Sequence, residues 1–475
     1  MSRKVRVFSI FLLSTALAGC ASTLPSALTP AEMPPAYSAP RPAGEPLKFA
    51  PGWWQAYSSP ELADLIAAAQ KDNLDIAAAA ARIEQAQAES GIAASALFPK
   101  IDLGASAKRE GSKTPGTTFN TFGLSLGASY ELDFWGLAQS NLRAARNSAR
   151  AAIYAGDVVS LTTDASVAST YFAVLALRER VSIAKRNVDA ARRILAVTKA
   201  KVTNGMASSL ELAQQEALLA GQETTVPALE EQEREMRYAL ALLLGRPPEG
   251  FTVQGTSLAG LSAPVIEPGL PSSLLVRRPD IAQAEATLLS AHANLDAARA
   301  AFLPAIGLTA NGGYMSTAVK DLINPSNLAW DVGASLLQTV FDGGELSSRR
   351  DLALAQEKEM IANYRKTVLS ALSDVETAIG SSASLADQER YTLDQVSSTT
   401  RAFKIAELQY REGVVDLLTL LQTQQALFTA EDQLVQIRLA RLQSSVGLYR
   451  AFGGGWQKAG ETERPTRNAF NPLPY

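Results

Sequence analysis

The chain has 475 residues, a formal net charge of −3, and a single cysteine and a single histidine. With 44 basic against 47 acidic side chains it carries no basic field for nucleic acid, and one Cys with one His leave no material for a multi-histidine or thiolate metal site. Hydrophobic residues make up 47% of it but aromatics only 7%, so the apolar content is mostly Ala and Leu, the composition of long packed helices.

Arg3, Lys4 and Arg6 precede an apolar stretch over 7–18, which is of signal-peptide length and shorter than the ~20 residues a spanning helix needs. It ends in Leu17-Ala18-Gly19-Cys20, small residues around the only thiol of the chain. This pattern looks like a lipobox, which makes 1–19 a lipoprotein signal peptide and Cys20 the lipidated N-terminus. Residue 21 is Ala rather than Asp, which by resemblance to bacterial lipoproteins favours sorting to the outer membrane. Residues 20–51 hold eight prolines and are expected to form an extended tether. Beyond the signal no apolar run approaches spanning length, so any membrane crossing must use β-strands.

The remainder is one unit written twice at an offset of about 205–208, over 52–250 and 272–453, with a linker over 251–271 and a polar tail over 454–475. Leu97-Phe98-Pro99-Lys100-Ile101 answers Phe302-Leu303-Pro304-Ala305-Ile306, and Asp75-Ile76 answers Asp280-Ile281. Phe134-Trp135-Gly136 answers Phe341-Asp342-Gly343, Gly205 answers Gly413, and Gly245 answers Gly453.

Within each half the expected order is the same. A helix over 60–97, then 272–303, is stopped by the proline after Phe98 or Leu303. A hairpin follows, over 101–133 and 306–340. Ile101, Leu103, Ala105 and Ala107 alternate with Asp102, Gly104, Ser106 and Lys108, and Phe122, Leu124, Leu126, Ala128, Tyr130 and Leu132 with Gly123, Ser125, Gly127, Ser129 and Glu131. Ile306, Leu308 and Ala310, then Trp330, Val332, Ala334 and Leu336, do the same. Period-2 alternation over about ten residues suits a membrane barrel strand, and equally a soluble hairpin with one buried face.

A long helix comes next, over 138–203 and 345–411; some 65 residues reach roughly 100 Å. Leu177, Val181, Ala184, Val188, Ala191, Leu195, Thr198 and Val202 form a coiled-coil seam along it. Gly205 and Gly413 let the chain reverse into return helices over 207–244 and 414–452. On the second of these Leu420, Leu427 and Leu434 run beside Leu421, Phe428, Val435 and Leu442, a face broad enough for two neighbours. The opening helix supplies the length by which the return helix falls short of the long one. Four strands cannot close a barrel, and an open sheet in lipid leaves two unpaired edges, so closure demands several copies.

Arg278-Pro279-Asp280-Ile281, Tyr130-Glu131-Leu132-Asp133-Phe134-Trp135-Gly136, Phe341-Asp342-Gly343-Gly344, Tyr410-Arg411-Glu412-Gly413 and Gly453-Gly454-Gly455-Trp456 are together specific. With them the chain resembles the TolC-type outer-membrane efflux family, in its lipidated, OprM-like (NodT-type) branch, over nearly all of 53–456. The resemblance implies an α+β membrane protein: a homotrimer with a twelve-stranded outer-membrane β-barrel, four strands per chain, continuous with a periplasmic α-helical barrel. It implies helical tips near Gly205 and Gly413 that meet a periplasmic adaptor, and an inner-membrane pump of the proton-driven resistance-nodulation-division type. The function implied is passive conduction of small toxic compounds outward, with no cofactor.

Family members close the tube just above the tip with a Leu and an Asp one helical turn apart. The matching positions are Leu418 and Gln422, so the carboxylate ring of the pattern is missing here, and Asp416 is the acidic residue nearest to replace it. Leu418 is expected to close the pore as an apolar constriction that gates by dewetting; ordinary helix packing is the competing account of it, and a plain solvated position that of Gln422.

Enzyme readings find little support. His292, in Ala291-His292-Ala293, is expected to be a solvated or capped surface histidine. Gly123-Leu124-Ser125-Leu126-Gly127 spells G-x-S-x-G, but mid-strand rather than on a strand-to-helix elbow. Pro279 and Asp280 suit the first turn of a helix. Two other functions remain open: a conduit for type I protein secretion, and a periplasmic coiled-coil scaffold lipoprotein, which has no need of two lipid-facing hairpins.

Overall fold

The computed structural model describes residues 34–40, 52–111, 118–264 and 270–457; Cys20 and its lipobox lie outside them. A 3-10 turn, Trp53–Tyr57, leads into helices α1 (Pro60–Asp72) and α2 (Leu74–Ser95), strands β1 (Lys100–Gly111) and β2 (Thr118–Leu132), the long α3 (Leu137–Thr203) and the returning α4 (Ser209–Leu243). After a single helical turn at Leu274–Arg277 the second half runs α5 (Pro279–Ala300), β3 (Ala305–Ser316), β4 (Leu328–Leu337), α6 (Glu345–Arg411) and α7 (Leu417–Ala451).

These elements stack in three tiers that share one lateral order. The sheet runs β1-β2-β3-β4, antiparallel throughout. Beneath it the helices run α2-α3-α5-α6, and below those α4-α3-α7-α6. The middle elements are covered on both sides, whereas the flanks are bare. Only Ala79 of the 22 residues of α2 and four of the 35 of α4 are buried, against 15 of the 35 of α7.

Apolar partners face each other across every strand pair: Leu103 opposite Leu126, Leu124 opposite Tyr314, Ala310 opposite Val332. No residue in the four strands is buried. The soluble-hairpin alternative needs one face on a core, and this sheet has none beneath it.

The single helix expected over 60–97 is two. Asn73 takes extended backbone (φ −67°, ψ 132°) and ends α1. Its Oδ1 then accepts from the N–H groups of Asp75 and Ile76 (2.9 and 3.0 Å) to cap α2, while its Nδ2 donates to the carbonyl of Leu243 at 2.8 Å. The helix expected over 272–303 breaks in the same way at Arg278 (φ −104°, ψ 124°), whose Nη1 donates to the carbonyl of Ala451 at 3.0 Å. Leu243 and Ala451 are the last residues of the return helices, so α2 continues the line of α4, and α5 that of α7. The return helices begin at Ser209 and Leu417 because Ser208 and Asp416 take extended N-cap backbone, and the second hairpin ends at Leu337 rather than 340.

At mid-height a further layer covers one face of the wall. Trp53 stacks on Tyr449 at 5.2 Å and the buried Tyr57 shares a 2.6 Å hydrogen bond with Ser445. The inter-repeat segment is strapped down as well: Glu61 accepts from the N–H groups of Gln254 and Gly255, and Arg178 donates to the carbonyls of Val253 and Gly255. One stretch of α3 is apolar enough by composition to cross a membrane, contrary to the reading above. Half of that stretch is buried by neighbouring helices, and its apolarity serves this mid-height core.

Candidate channel axis and helical tips

Both tips are built by the same local chemistry. Gly205 and Gly413 hold φ of 72° and 76°, where a Cβ is disfavoured. The N–H groups of Gly205 and Met206 reach the carbonyls of Val202 and Lys201, and those of Gly413 and Val414 reach Tyr410 and Gln409, which satisfies the last carbonyls of α3 and α6. Each return helix then starts on a side-chain cap. Ser208 and Glu211 form a reciprocal capping box, and Asp416 Oδ1 accepts from Thr419 N–H at 2.8 Å. Four apolar side chains, Met206, Leu210, Val414 and Leu418, stand in solvent at the tips among polar and charged ones such as Asn204, Arg411 and Glu412.

Leu418 stands apart from its neighbours on α7. Leu417 and Leu420 on either side of it are buried against Phe403 and Tyr410, while Leu418 is 55% exposed. Gln422 is exposed one turn further along the same face, followed at seven-residue spacing by Thr429, Gln436 and Gln443. This amide-rich stripe lies on the side of α7 opposite Ser445 and Tyr449, which face the mid-height layer. Leu418 and Gln422 thus share one exposed face of α7. Asp416 does not join them; it is an exposed helix cap, and the Thr419 hydroxyl and N–H hold its carboxyl below the usual range.

The long helix carries two seams, only one of which was visible as a heptad series. Leu177, Ala184 and Val181 pack on Leu229 and Val226 of α4. Ala190 and Ile194 pack on Phe403, Ala406, Leu417 and Leu420 of the second half. Arg180 closes this second seam with a bidentate pair to Asp432 (2.6 and 3.2 Å). Near the tips Thr198 Oγ1 shares a 3.1 Å hydrogen bond with Tyr410 OH, and Lys201 Nζ lies 4.2 Å from the centre of the same ring while donating to the Tyr410 carbonyl. In the sequence nothing beyond its place in the turn motif marks Tyr410 for this role.

Two other residues take roles different from those expected. His292 is not solvated: its Nδ1 sits 2.6 Å from Glu357 Oε1, both side chains are largely covered, and the pair ties α5 to α6. Asp280 does more than favour a helix dipole, since Arg278 Nε and Nη2 grip it through both oxygens and Nη2 also reaches Asp374 at 3.1 Å. Ser125 lies mid-strand between Gly104 and Gly313, as the sequence leads one to expect.

The chain matches the family described as outer membrane efflux protein over residues 65–246 and again over 270–454. It is 40% identical over 416 residues to the pyoverdine export outer membrane protein OpmQ of Pseudomonas aeruginosa, spanning 85% of this chain and 87% of that one. It is 28% identical over 411 residues to the cation efflux system protein CusC of Escherichia coli, spanning 86% and 89%. The open state of the Neisseria gonorrhoeae MtrE outer membrane channel superposes with a TM-score of 0.83 at 28% identity, covering 91% of this chain and 98% of that one.

Proposed function

The chain belongs to the outer membrane efflux protein family and is an outer-membrane channel subunit, and from that premise we propose how it assembles and closes. The shared lateral order of the three tiers carries the reading. β1, α2 and α4 form one bare flank and β4 and α6 the other, each with apolar side chains in solvent: Ile92 and Leu242 on the first, Leu369 and Leu408 on the second. Copies joined flank to flank repeat about one axis until they close, and three give a barrel of twelve strands over a helical barrel, held at the outer membrane also by a lipid on Cys20. The stripe on α7 lines the bore. Leu418 is its apolar constriction near the tip, Gln422 a neutral ring one turn above, and Asp416 a charge at the rim.

The tips around Gly205 and Gly413, with exposed Met206, Leu210 and Val414, dock a periplasmic adaptor fed by a proton-driven inner-membrane pump, and the cargo is small compounds. OpmQ, named for pyoverdine export, makes a compound of that kind the first to assay. Deleting the gene tests the reading: small compounds should accumulate in the cell and tolerance to them fall. Unchanged tolerance together with a polypeptide missing from the medium would instead assign the tube to type I secretion.

A further inference from the structure

The two bare flanks of the chain have an internal template. α5 repeats α2 at an offset of 205 residues and α6 repeats α3 at 208, and each pair is equal in length. In the lateral order α2-α3-α5-α6, a neighbouring copy set against α6 presents its α2 where, inside the chain, α5 meets α3. A contact between copies can therefore be read from a contact within one.

Inside the chain that contact has a fixed register. Ser148 of α3 and Ser290 of α5 share a 2.9 Å hydrogen bond, and Arg143 reaches Asp296 at 3.4 Å. By the two offsets Ser148 answers Gln356 and Ser290 answers Gln85, so these glutamines are the pair expected to meet between copies. The strands follow the same rule, with β4 answering β2 at 208, since Leu337 and Ser129 face the first residues of β3 and β1. β2 and β3 set Ala128 opposite Ala310 and Gly127 opposite Asn311. Between copies this becomes Leu336 opposite Ala105 and Ser335 opposite Ser106, apolar against apolar and polar against polar.

Charge agrees with that register. Arg82 lies three residues before Gln85 and Glu359 three after Gln356, which in antiparallel helices is one height. Glu84 and Lys358 fall within one residue of each other, about 1.5 Å. All four side chains are exposed, and none has a hydrogen bond or ion pair among the described residues. At the answering positions inside the chain stand Thr287, Leu289, Arg150 and Ala151, which hold no opposite charges. The quartet thus belongs to the bare flanks and is no echo of the duplication. A slip of seven residues either way would set Glu359 against Asp75 or Glu89, carboxylate against carboxylate.

We propose that copies join in the register of the internal contact, held there by Arg82 with Glu359, and Glu84 with Lys358, of the neighbouring copy. The proposal rests on the reading that copies close flank to flank; it adds which residues meet and at what height. The internal contact joins elements of the same tier, so its repetition adds no axial step and the copies form a ring rather than an open helix. Opposite charges at such a seam set register and choice of partner more than affinity.

The test uses the full chain exported to the outer membrane. Gln85→Cys combined with Gln356→Cys should give disulfide-linked trimers on a boiled, non-reducing gel, because the answering serines touch. Gln85→Cys with Asn363→Cys, seven residues and about 10 Å further along α6, should give none. Linkage at 363 rather than 356, or no linkage in a sample that runs unheated as a trimer, would overturn the register. A second arm reverses charge. Glu84→Lys or Lys358→Glu should each lower the temperature at which the trimer dissociates in detergent, by about 5 °C, and the two together should restore it. The two residues stand on opposite flanks of one copy, so restoration can pass only between copies. Losses that add up in the double variant would overturn the pairing. A monomer in every sample, the parent included, would instead refute the flank-to-flank reading itself, and the register with it.

Discussion

Gly453 presses its Cα against the carbonyl of Arg277, closer than any side chain permits, and Gly245 makes the same approach to Asp72 one repeat earlier. Both hold positive φ, 85° and 64°, at the ends of the return helices. These are the places where α5 is seated on α7 and α2 on α4. The two glycines and the two breaks at Arg278 and Asn73 are therefore one device, used twice.

Alanine at Gly453 or Gly245 should cost at least ~2 kcal/mol, a left-handed conformation plus a backbone overlap that cannot relax cheaply. Gly205 and Gly413 share the positive φ but have no atom near the site of a Cβ, so alanine there should cost only about 1 kcal/mol. Thermal melting of the four purified variants checks this, and equal losses at all four would contradict it.

Arg278 is 8% exposed and satisfies Asp280, Asp374 and the end of α7 at once. Arg278→Ala should destabilise by roughly 3 kcal/mol, and Arg278→Lys should recover little of it, since an ammonium cannot make the forked contact. A lysine variant that melts with the parent would show the fork to be dispensable.

Asp164 is buried, and burial raises its carboxyl to about 6, with the Gln70 amide at 2.9 Å opposing the rise. Because the folded value lies above the unfolded one near 3.8, the folded chain keeps a proton the unfolded chain has released. The stability linked to this group is therefore full below about pH 4 and lost as pH rises through 6. Asp164→Asn should gain up to about 3 kcal/mol at pH 7 and flatten the melting profile between pH 4 and 6. A profile that keeps the parent's slope would assign it to another group.

Much of this architecture could be read from the residues alone, for identifiable reasons. Period-2 alternation, a heptad seam and glycines at reversals are local signals, and the duplication displayed each of them twice. Contacts between distant segments left no such trace. Asn73 breaks an Ala-rich run without any proline because its amide finds Leu243, 170 residues away. His292 looked solvated because Glu357 lies on another helix. The second seam of α3 was hidden because Ala190 and Ile194 are ordinary helix residues until α6 and α7 arrive beside them. At the candidate constriction the family resemblance points to Leu418 and Gln422, but only exposure separates Leu418 from the buried Leu417 and Leu420.

Leu418→Gly should widen the narrowest ring and raise single-channel conductance, and unchanged conductance would move the constriction elsewhere. Gln422→Asp should place a ring of carboxylates in the bore, shifting the reversal potential in a salt gradient toward cations. No shift would mean that position 422 does not face the axis.

The central claim is that copies of this chain close flank to flank into one conducting tube. Purified full-length protein incorporated into planar bilayers, with the same sample run unheated on a denaturing gel, tests it most directly. The account predicts a trimer that resists the detergent and discrete conductance steps; a monomer that leaves the bilayer silent would contradict it.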